Sequence, residues 1–311
     1  MISAPHERLA SIPGVVDVIR IAAPGAPAEP AAALLELPHG ATRLHDYFAL
    51  AQRMRSALPP DLQAFFCVNT DVGTPEVARQ LAAMLVEPAR FGWLAPGRSV
   101  LIVRSHLPRT LIDCNRIAEP GQGSGLTGRV PDYVTDDADR ALLESLHAAY
   151  CEVALAAWDE VLGATAPGDR RGRGLSLHSY APRSVPIERV TATIVAELRH
   201  HWAHPEALPL RPEVDLIHTD PAGVLHADPA WVAATTAAFE AAGVEVAQSA
   251  SYKLHPATFA GAMALRAPQQ ALTLEIRRDL LAEPWDPFVE MNVPEARAKA
   301  MAAPIAAGWL A

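Results

Sequence analysis

Gly174-Leu175-Ser176-Leu177-His178-Ser179-Tyr180-Ala181-Pro182-Arg183 is the stretch from which this 311-residue chain is best read. Its first five residues form a strand that ends on a histidine. A loop full of polar groups follows. The same pattern occurs upstream, where the short apolar strand 34–37 ends at Pro38-His39-Gly40. Other strands are expected at 15–21, 99–104, 214–218, 244–247 and 271–276. Helices are expected at 44–58, 75–85, 136–162, 186–202 and 229–242. Thr74 and Asp228 are placed to cap two of these, and Pro75 stands at a first helical position. Segments 23–33, 119–130 and 164–173, rich in Gly, Pro or Ala, read as connectors. Strands and helices alternate without a repeat or a clear linker, so residues 1–311 read as one α/β domain with helices on both faces of a sheet. In open α/β sheets ligands bind at the C-terminal strand edge, where both histidines fall.

Composition limits the function. Half the residues are hydrophobic and a fifth are charged, as in an ordinary globular protein. The formal charge of −9 argues against a nucleic-acid partner, which needs a basic face. Cys67, Cys114 and Cys151 are far apart and form no CxxC pair, so they read as buried free thiols in a reducing compartment. The first residues lack a basic stretch followed by an apolar one, and no apolar run approaches a membrane span. A cytoplasmic protein is expected. There is no P-loop, no dinucleotide-binding glycine fingerprint and no HExxH. Gly121-Gln122-Gly123-Ser124-Gly125 resembles a nucleophile elbow in composition only, because no strand precedes it. His200, His201 and His204 read as a helix end favoured by the dipole.

Several residue types could carry chemistry. His39 and His178, at the ends of two strands, are what a mononuclear zinc site on a sheet requires, together with a carboxylate and a position for water. Either could instead be satisfied by a turn carbonyl. Asp71, in Val68-Asn69-Thr70-Asp71-Val72-Gly73, could be that carboxylate or a helix-entry aspartate. Asp113-Cys114-Asn115-Arg116, with Arg109 nearby, crowds polar groups into a short space. Asn115 and Arg116 suit a substrate carboxylate, because guanidinium gives two parallel charge-assisted bonds. The other reading is a surface Asp113–Arg116 pair. Glu275 lies inside the apolar strand 271–276, where burial raises a carboxyl pKa and makes a general base. It could also be paired with Arg277 or Arg278.

Taken in order, Glu36-Leu37-Pro38-His39-Gly40, Thr70-Asp71-Val72-Gly73, Arg109 with Asp113-Cys114-Asn115-Arg116, Leu177-His178-Ser179 and Leu274-Glu275-Ile276-Arg277-Arg278-Asp279-Leu280 resemble the motifs of the N-formylglutamate amidohydrolase family. The resemblance spans roughly residues 34–283. It implies a relationship to zinc carboxypeptidases and aspartoacylase-type deacylases, and with it a three-layer αβα fold with a mixed, mostly parallel central sheet. It implies one zinc ion held by His39 and His178, with Glu275 as base. Arg109 would polarise the scissile carbonyl, and Asn115 and Arg116 would hold a substrate carboxylate, with Arg183, Tyr252 and Lys253 beside them.

Two departures stand out. The carboxypeptidase relatives take a carboxylate ligand three residues after the first histidine, and Thr42 stands there. Asp71 is the substitute, with Glu76 and Glu36 as fallbacks. The family's Pro-Tyr-x-Gly-Gly loop is matched here by Ser249-Ala250-Ser251-Tyr252-Lys253-Leu254-His255-Pro256, which keeps the tyrosine without the double glycine and leaves the substrate open. The expected function is metal-dependent removal of a formyl or other acyl group from a carboxylate-bearing amino acid or peptide. The competing readings are a zinc carboxypeptidase, a deacylase of modified peptides, and a binding protein that keeps the fold without turnover.

Overall fold

A computed structural model describes residues 9–22, 30–87, 99–118, 126–163, 172–187 and 189–310. The glycine-rich 121–125 stretch, most of the 164–173 connector and most of 23–33 lie outside them. The elements run β1 Val16–Ala22, β2 Ala33–Leu37, α1 Leu44–Ala51, α2 Leu62–Asn69, α3 Thr74–Val86, β3 Ser99–Ser105, α4 Asp137–Gly163, β4 Arg173–Tyr180, α5 Ile194–Trp202, β5 Val214–Ile217, α6 Pro229–Ala241, β6 Val246–Gln248, α7 Phe259–Arg266, β7 Ala271–Arg277 and α8 Glu295–Leu310.

The seven strands form one sheet in the order β1-β3-β2-β4-β7-β5-β6. Strands β3, β2, β4 and β7 are mutually parallel. β1 pairs antiparallel with β3, and β5 antiparallel with β7. The expected mixed, mostly parallel sheet between helical layers is therefore what forms.

Side-chain alternation divides the core. On one face Leu35, Leu37, Leu175, Leu177, Leu272, Leu274 and Ile276 pack with side chains of α3, α6 and α8, including Leu81, Trp231 and Trp309. On the other, Leu34, Val103 and Ile217 pack with Phe66 of α2, Tyr150 and Trp158 of α4, and Phe259 of α7. Because Leu175 and Leu177 point one way, Ser176 and His178 point the other, toward α2 and α4. Glu36, Ser176, His178 and Glu275, register partners on β2, β4 and β7, are thus gathered on a single face.

Some boundaries differ from the sequence expectation. The helix expected over 44–58 stops at Ala51, because the amides of Arg55 and Ser56 turn to the Asp139 carboxylate at 2.6–3.0 Å. The helix expected over 186–202 starts only at Ile194. Before it, the Thr191 hydroxyl accepts from the Thr193 amide, a local bond that competes with helix. Thr74 does not cap α3. Gly73 does, with a φ of 88°, and the Thr74 hydroxyl donates to the Asp71 carbonyl. Asp228 caps α6 as expected, accepting from the Ala230 amide. Helices α2, α7 and α8 were not expected. Cys67 and Cys114 are buried free thiols, whereas Cys151 is half-buried. Among the described residues no helix is long and apolar enough to cross a membrane.

Candidate active site

Strands β2 and β4 are neighbours in the sheet, so the residues at their C-terminal ends meet. His39 follows β2 directly. Its turn is tight: a Cβ on Gly40 would lie 2.5 Å from the Arg104 side chain. His178 is within β4, and Asp71 lies between α2 and α3. All three are buried. His39 Nδ1 is 3.1 Å from Asp71 Oδ2, His178 Nδ1 is 3.0 Å from the same oxygen, and the two Nδ1 atoms are 3.2 Å apart. Among the described residues this is the group of histidine and carboxylate atoms able to hold a metal ion.

Each outer nitrogen faces an oxygen partner. His39 Nε2 lies 2.8 Å from Asp113 Oδ1, an ionised carboxylate that only accepts, so Nε2 carries a proton. Burial and Arg109 oppose a charge on the ring, but Asp71 and Asp113 raise its pKa, so without a metal Nδ1 also donates, to Asp71, and a metal would take the place of that proton. His178 Nε2 faces Ser176 Oγ at 3.1 Å, and that hydroxyl donates to Glu36 Oε2 at 2.6 Å. Ser176 therefore accepts from His178 Nε2–H, which leaves His178 Nδ1 turned to the centre. Three potential ligand atoms thus converge within 3.2 Å of one another, an arrangement a cation could fill in place of the proton they share. Tetrahedral zinc at its usual bond lengths separates such ligand atoms by about 3.3–3.5 Å. The observed triangle is a few tenths of an ångström tighter, so the donor set fits zinc.

Asp71 is fixed from behind. Arg278 Nη2 reaches its other oxygen at 3.3 Å, while the same guanidinium donates to the carbonyls of Ser179 and Val68. Burial opposes a charge on Asp71, but His39 and His178 hold its carboxyl far below the usual range. Burial pulls Arg278 down to about 10, with Asp71 opposing. The fallback carboxylates lie outside that group. Glu36 accepts from Ser176 and from the Tyr150 hydroxyl, one layer beneath the histidines. Glu76 lies outside the group, its Oε2 buried without a hydrogen-bond partner. Thr42 is buried beside the site and is not part of it.

Glu275 is the register partner of His178 across the parallel β4–β7 pair, so both side chains point to the same face. The ion pairs that could have neutralised it are made elsewhere: Arg277 with Glu213 and Asp279, Arg278 with Asp71. Glu275 Oε2 is buried without a hydrogen-bond partner. Burial, reinforced by Asp71, pushes its pKa up to about 7 against the opposing pull of His178, Arg211 and Arg109. A carboxyl so poised can both take and return a proton near neutral pH.

A cleft of about 450 Å³ opens onto this centre, lined by His39, His178, Glu275, Arg109, Asn115, Arg116, Arg183, Tyr252 and Lys253. Every site residue expected from the sequence lines it except Asp71, which lies behind the histidines. Their roles are not equal. Asp113 and Arg116 are not a surface pair: both are buried, with Arg116 Nη2 3.8 Å from Asp113 Oδ2 and its Nε donating to the Thr127 carbonyl. Arg109 Nε donates to Asp113 Oδ2 at 3.1 Å. Asn115 is partly committed, since its Oδ1 accepts from the Ala260 amide and holds the start of α7. Arg183 donates to the Leu208 carbonyl, and Lys253 Nζ to Thr219 Oγ1. Sequence reading missed Arg211, whose guanidinium lies over the rings of Tyr180 and Tyr252 at 5.0 and 5.4 Å. It also missed Asp215, register partner of Glu275, which accepts from the Ala250 and Ser251 amides and so anchors the Tyr252 loop.

The fold is shared with solved structures. N-formylglutamate amidohydrolase from Ralstonia eutropha JMP134 superposes with a TM-score of 0.54 at 17% identity, covering 94% of this chain and 96% of that one. A gene product from Agrobacterium tumefaciens gives 0.49 at 18% identity, covering 93% and 90%. A metallo-carboxypeptidase from Burkholderia cenocepacia gives 0.42 at 11%, covering 94% and 59%. No match is found among the curated proteins. The sequence itself matches N-formylglutamate amidohydrolase over residues 31–282, most of the chain, which therefore belongs to the N-formylglutamate amidohydrolase family.

Proposed function

We propose that this chain is a zinc-dependent amide hydrolase that removes a formyl or other acyl group from a carboxylate-bearing amino acid. The observation that carries the reading is the convergence of three potential ligand atoms, from His39, Asp71 and His178, beside a half-buried Glu275 whose Oε2 is buried without a hydrogen-bond partner. A zinc ion held by these three residues would supply Lewis acidity, polarising the scissile carbonyl and making the attacking water more acidic.

The chain's own groups carry the proton. Glu275 takes it from the attacking water and returns it to the leaving nitrogen, so that water and amide become carboxylate and amine. Arg109, held by Asp113 at the mouth of the site, faces the negative charge that grows on the carbonyl oxygen. Arg116 and the Asn115 amide group bind the substrate carboxylate. Arg183, Arg211, Tyr252 and Lys253 line the same cleft and make its approach positive on a chain of net charge −9. A binding protein without turnover has no use for a carboxyl oxygen buried without a partner beside the candidate metal group, which favours the catalytic reading.

The test is metal analysis of untagged protein purified without chelator, paired with an amine-release assay on N-formyl and N-acetyl amino acids. About one zinc per chain and chelator-sensitive release are expected. Metal-free protein with full activity would reject the reading.

A further inference from the structure

We infer that the cleft takes a substrate with a bulky apolar group next to its scissile amide, supplied by either the acyl group or the amino-acid side chain; this rests on the amidohydrolase reading above. The cleft, at about 450 Å³, is in the range of drug-sized ligands, about 300–1,000 Å³. A one-carbon formyl group on a short polar side chain leaves much of it empty.

The lining has two characters. Arg109, Arg116, Arg211 and Glu275 make part of it charged. Another part is apolar, built from Phe65 of α2, Leu198 and Trp202 of α5, and Val130, Ile187 and Val190 of the loops, which belong to one packed hydrophobic cluster. Leu198 and Trp202 are four apart and share one helix face, which packs toward α2 with Phe65. Ile187, Val190 and Trp202 are only partly buried, so their surface is left for a ligand to cover.

This wall is continuous with the metal ligands. Arg278, which grips Asp71, also grips the Val68 carbonyl near the end of α2, one turn from Phe65. A substrate held over His39 and His178 therefore lies alongside the apolar wall. The charged pair on that side, Arg189 with Asp132 at 2.6 Å, is exposed and neutralises itself. The Ser251-Tyr252-Lys253 loop, which lacks the family's double glycine, closes the other side of the cleft.

The experiment uses two substrate series on the zinc-loaded enzyme. One varies the side chain of N-formyl amino acids from alanine and glutamate to leucine and phenylalanine. The other varies the acyl group on alanine from formyl to hexanoyl and benzoyl. The same compounds are titrated by calorimetry into zinc-loaded Glu275→Gln, which reads binding without turnover. At least one apolar series should exceed N-formylglutamate by about 10-fold or more in kcat/KM and in affinity, the scale of added methylene groups in a fitted pocket. Whichever series rises identifies the source of the apolar group. In Ile187→Asn the apolar-to-polar preference should fall by about 10-fold.

Preference for N-formylglutamate in both readouts overturns the inference while leaving the hydrolase reading intact. Tight apolar binding with no hydrolysis of any compound does the reverse. If Ile187→Asn does not fold, the two series on the wild-type chain decide alone.

Discussion

Asp113 Oδ1 lies 2.8 Å from His39 Nε2, and this contact joins two sequence motifs that are 74 residues apart. The same carboxylate accepts from the Asn115 amide and from Arg109 Nε. His39, of the candidate metal group, and Arg109, which lines the cleft, are therefore fixed by one anchor. Burial opposes the charge on Asp113, but Arg116, Arg109 and His39 hold its carboxyl well below the usual range. It stays ionised and holds a proton on His39 Nε2, which leaves Nδ1 as the ring atom that a metal would take.

Asp113→Asn keeps the shape and removes the charge. Zinc affinity is expected to fall by about 10- to 100-fold, the usual effect of losing such an outer partner. Competition against a fluorescent chelator measures it. Affinity within twofold of wild type would mean that Asp113 serves Arg109 and Arg116 alone.

Replacing the inner ligands should act more strongly. His39→Ala and His178→Ala each remove one of three donor atoms and should strip most of the zinc during dialysis. Asp71→Ala should do the same and also leave Arg278 without its buried carboxylate, a charge defect that typically costs about 3–5 kcal/mol of stability. Metal content and urea midpoints separate the two effects. A double histidine mutant that retains a full complement of zinc would refute the site.

How much of this was legible in the sequence depends on where the signal lay. The strand-end histidines could be read because a polar residue closing an apolar run is a local event. Glu275 could be read for the same reason. Helix α2 could not: its N-cap residue Asp61 has a φ of 61° and makes no side-chain cap bond, and the helix is held by burial of Phe65, Phe66 and Cys67. Nor could α8, an alanine-rich segment with Pro304 inside it, whose place is set by packing against α3 and α6. Asp71 was named among several carboxylates because only the folded chain brings it to the histidines. Arg211 gave no signal, since the two tyrosines that flank its guanidinium are 31 and 41 residues away in opposite directions along the sequence.

Glu275→Gln preserves size and hydrogen-bonding capacity, so the fold and zinc content should survive. Turnover should fall by about 100-fold or more. The base works ionised, so kcat/KM should fall as pH drops through the Glu275 pKa. Burial raises that pKa to about 7 in the metal-free site, and a bound cation would lower it, so the acid limb should lie below that value. The limb should vanish in the Gln variant. A variant that keeps both its rate and its limb excludes Glu275 as the base.

A different histidine should make stability depend on pH. His106 lies between Asp46 Oδ1, 3.1 Å from Nδ1, and Asp17 Oδ2, 2.7 Å from Nε2. Only the imidazolium donates to both. Its pKa is raised by Asp46, against burial, with further help from Asp17. A raised histidine pKa contributes stability that is complete below the unfolded value of about 6.5 and is lost as pH rises through the folded value. Wild type should therefore lose stability relative to His106→Gln as pH rises from about 6.5 through the raised value of the folded chain. Parallel melting curves across that range would reveal it, and curves that shift together would exclude the contribution.

Substrate choice should rest on Arg116. Its side chain is 4% exposed, its Nε is fixed by the Thr127 carbonyl at 3.0 Å, and Asp113 lies beside Nη2. That leaves a planar group held at one angle on the wall of the cleft, next to the Asn115 amide. Lysine offers a point charge on a flexible stem and cannot reproduce the fork, nor the bond to Thr127. Arg116→Lys should lower kcat/KM for carboxylate-bearing substrates by about 10- to 1000-fold, equivalent to about 1.4–4 kcal/mol of transition-state binding. The loss should appear with zinc content unchanged, because no metal ligand touches the guanidinium directly. An amidated analogue gives the complementary measurement on wild type. It keeps the scissile bond and the side chain and loses only the charge that Arg116 would bind, so it should be cleaved far more slowly than the free acid. Equal rates for the two would remove the carboxylate clamp and leave the hydrolytic centre standing.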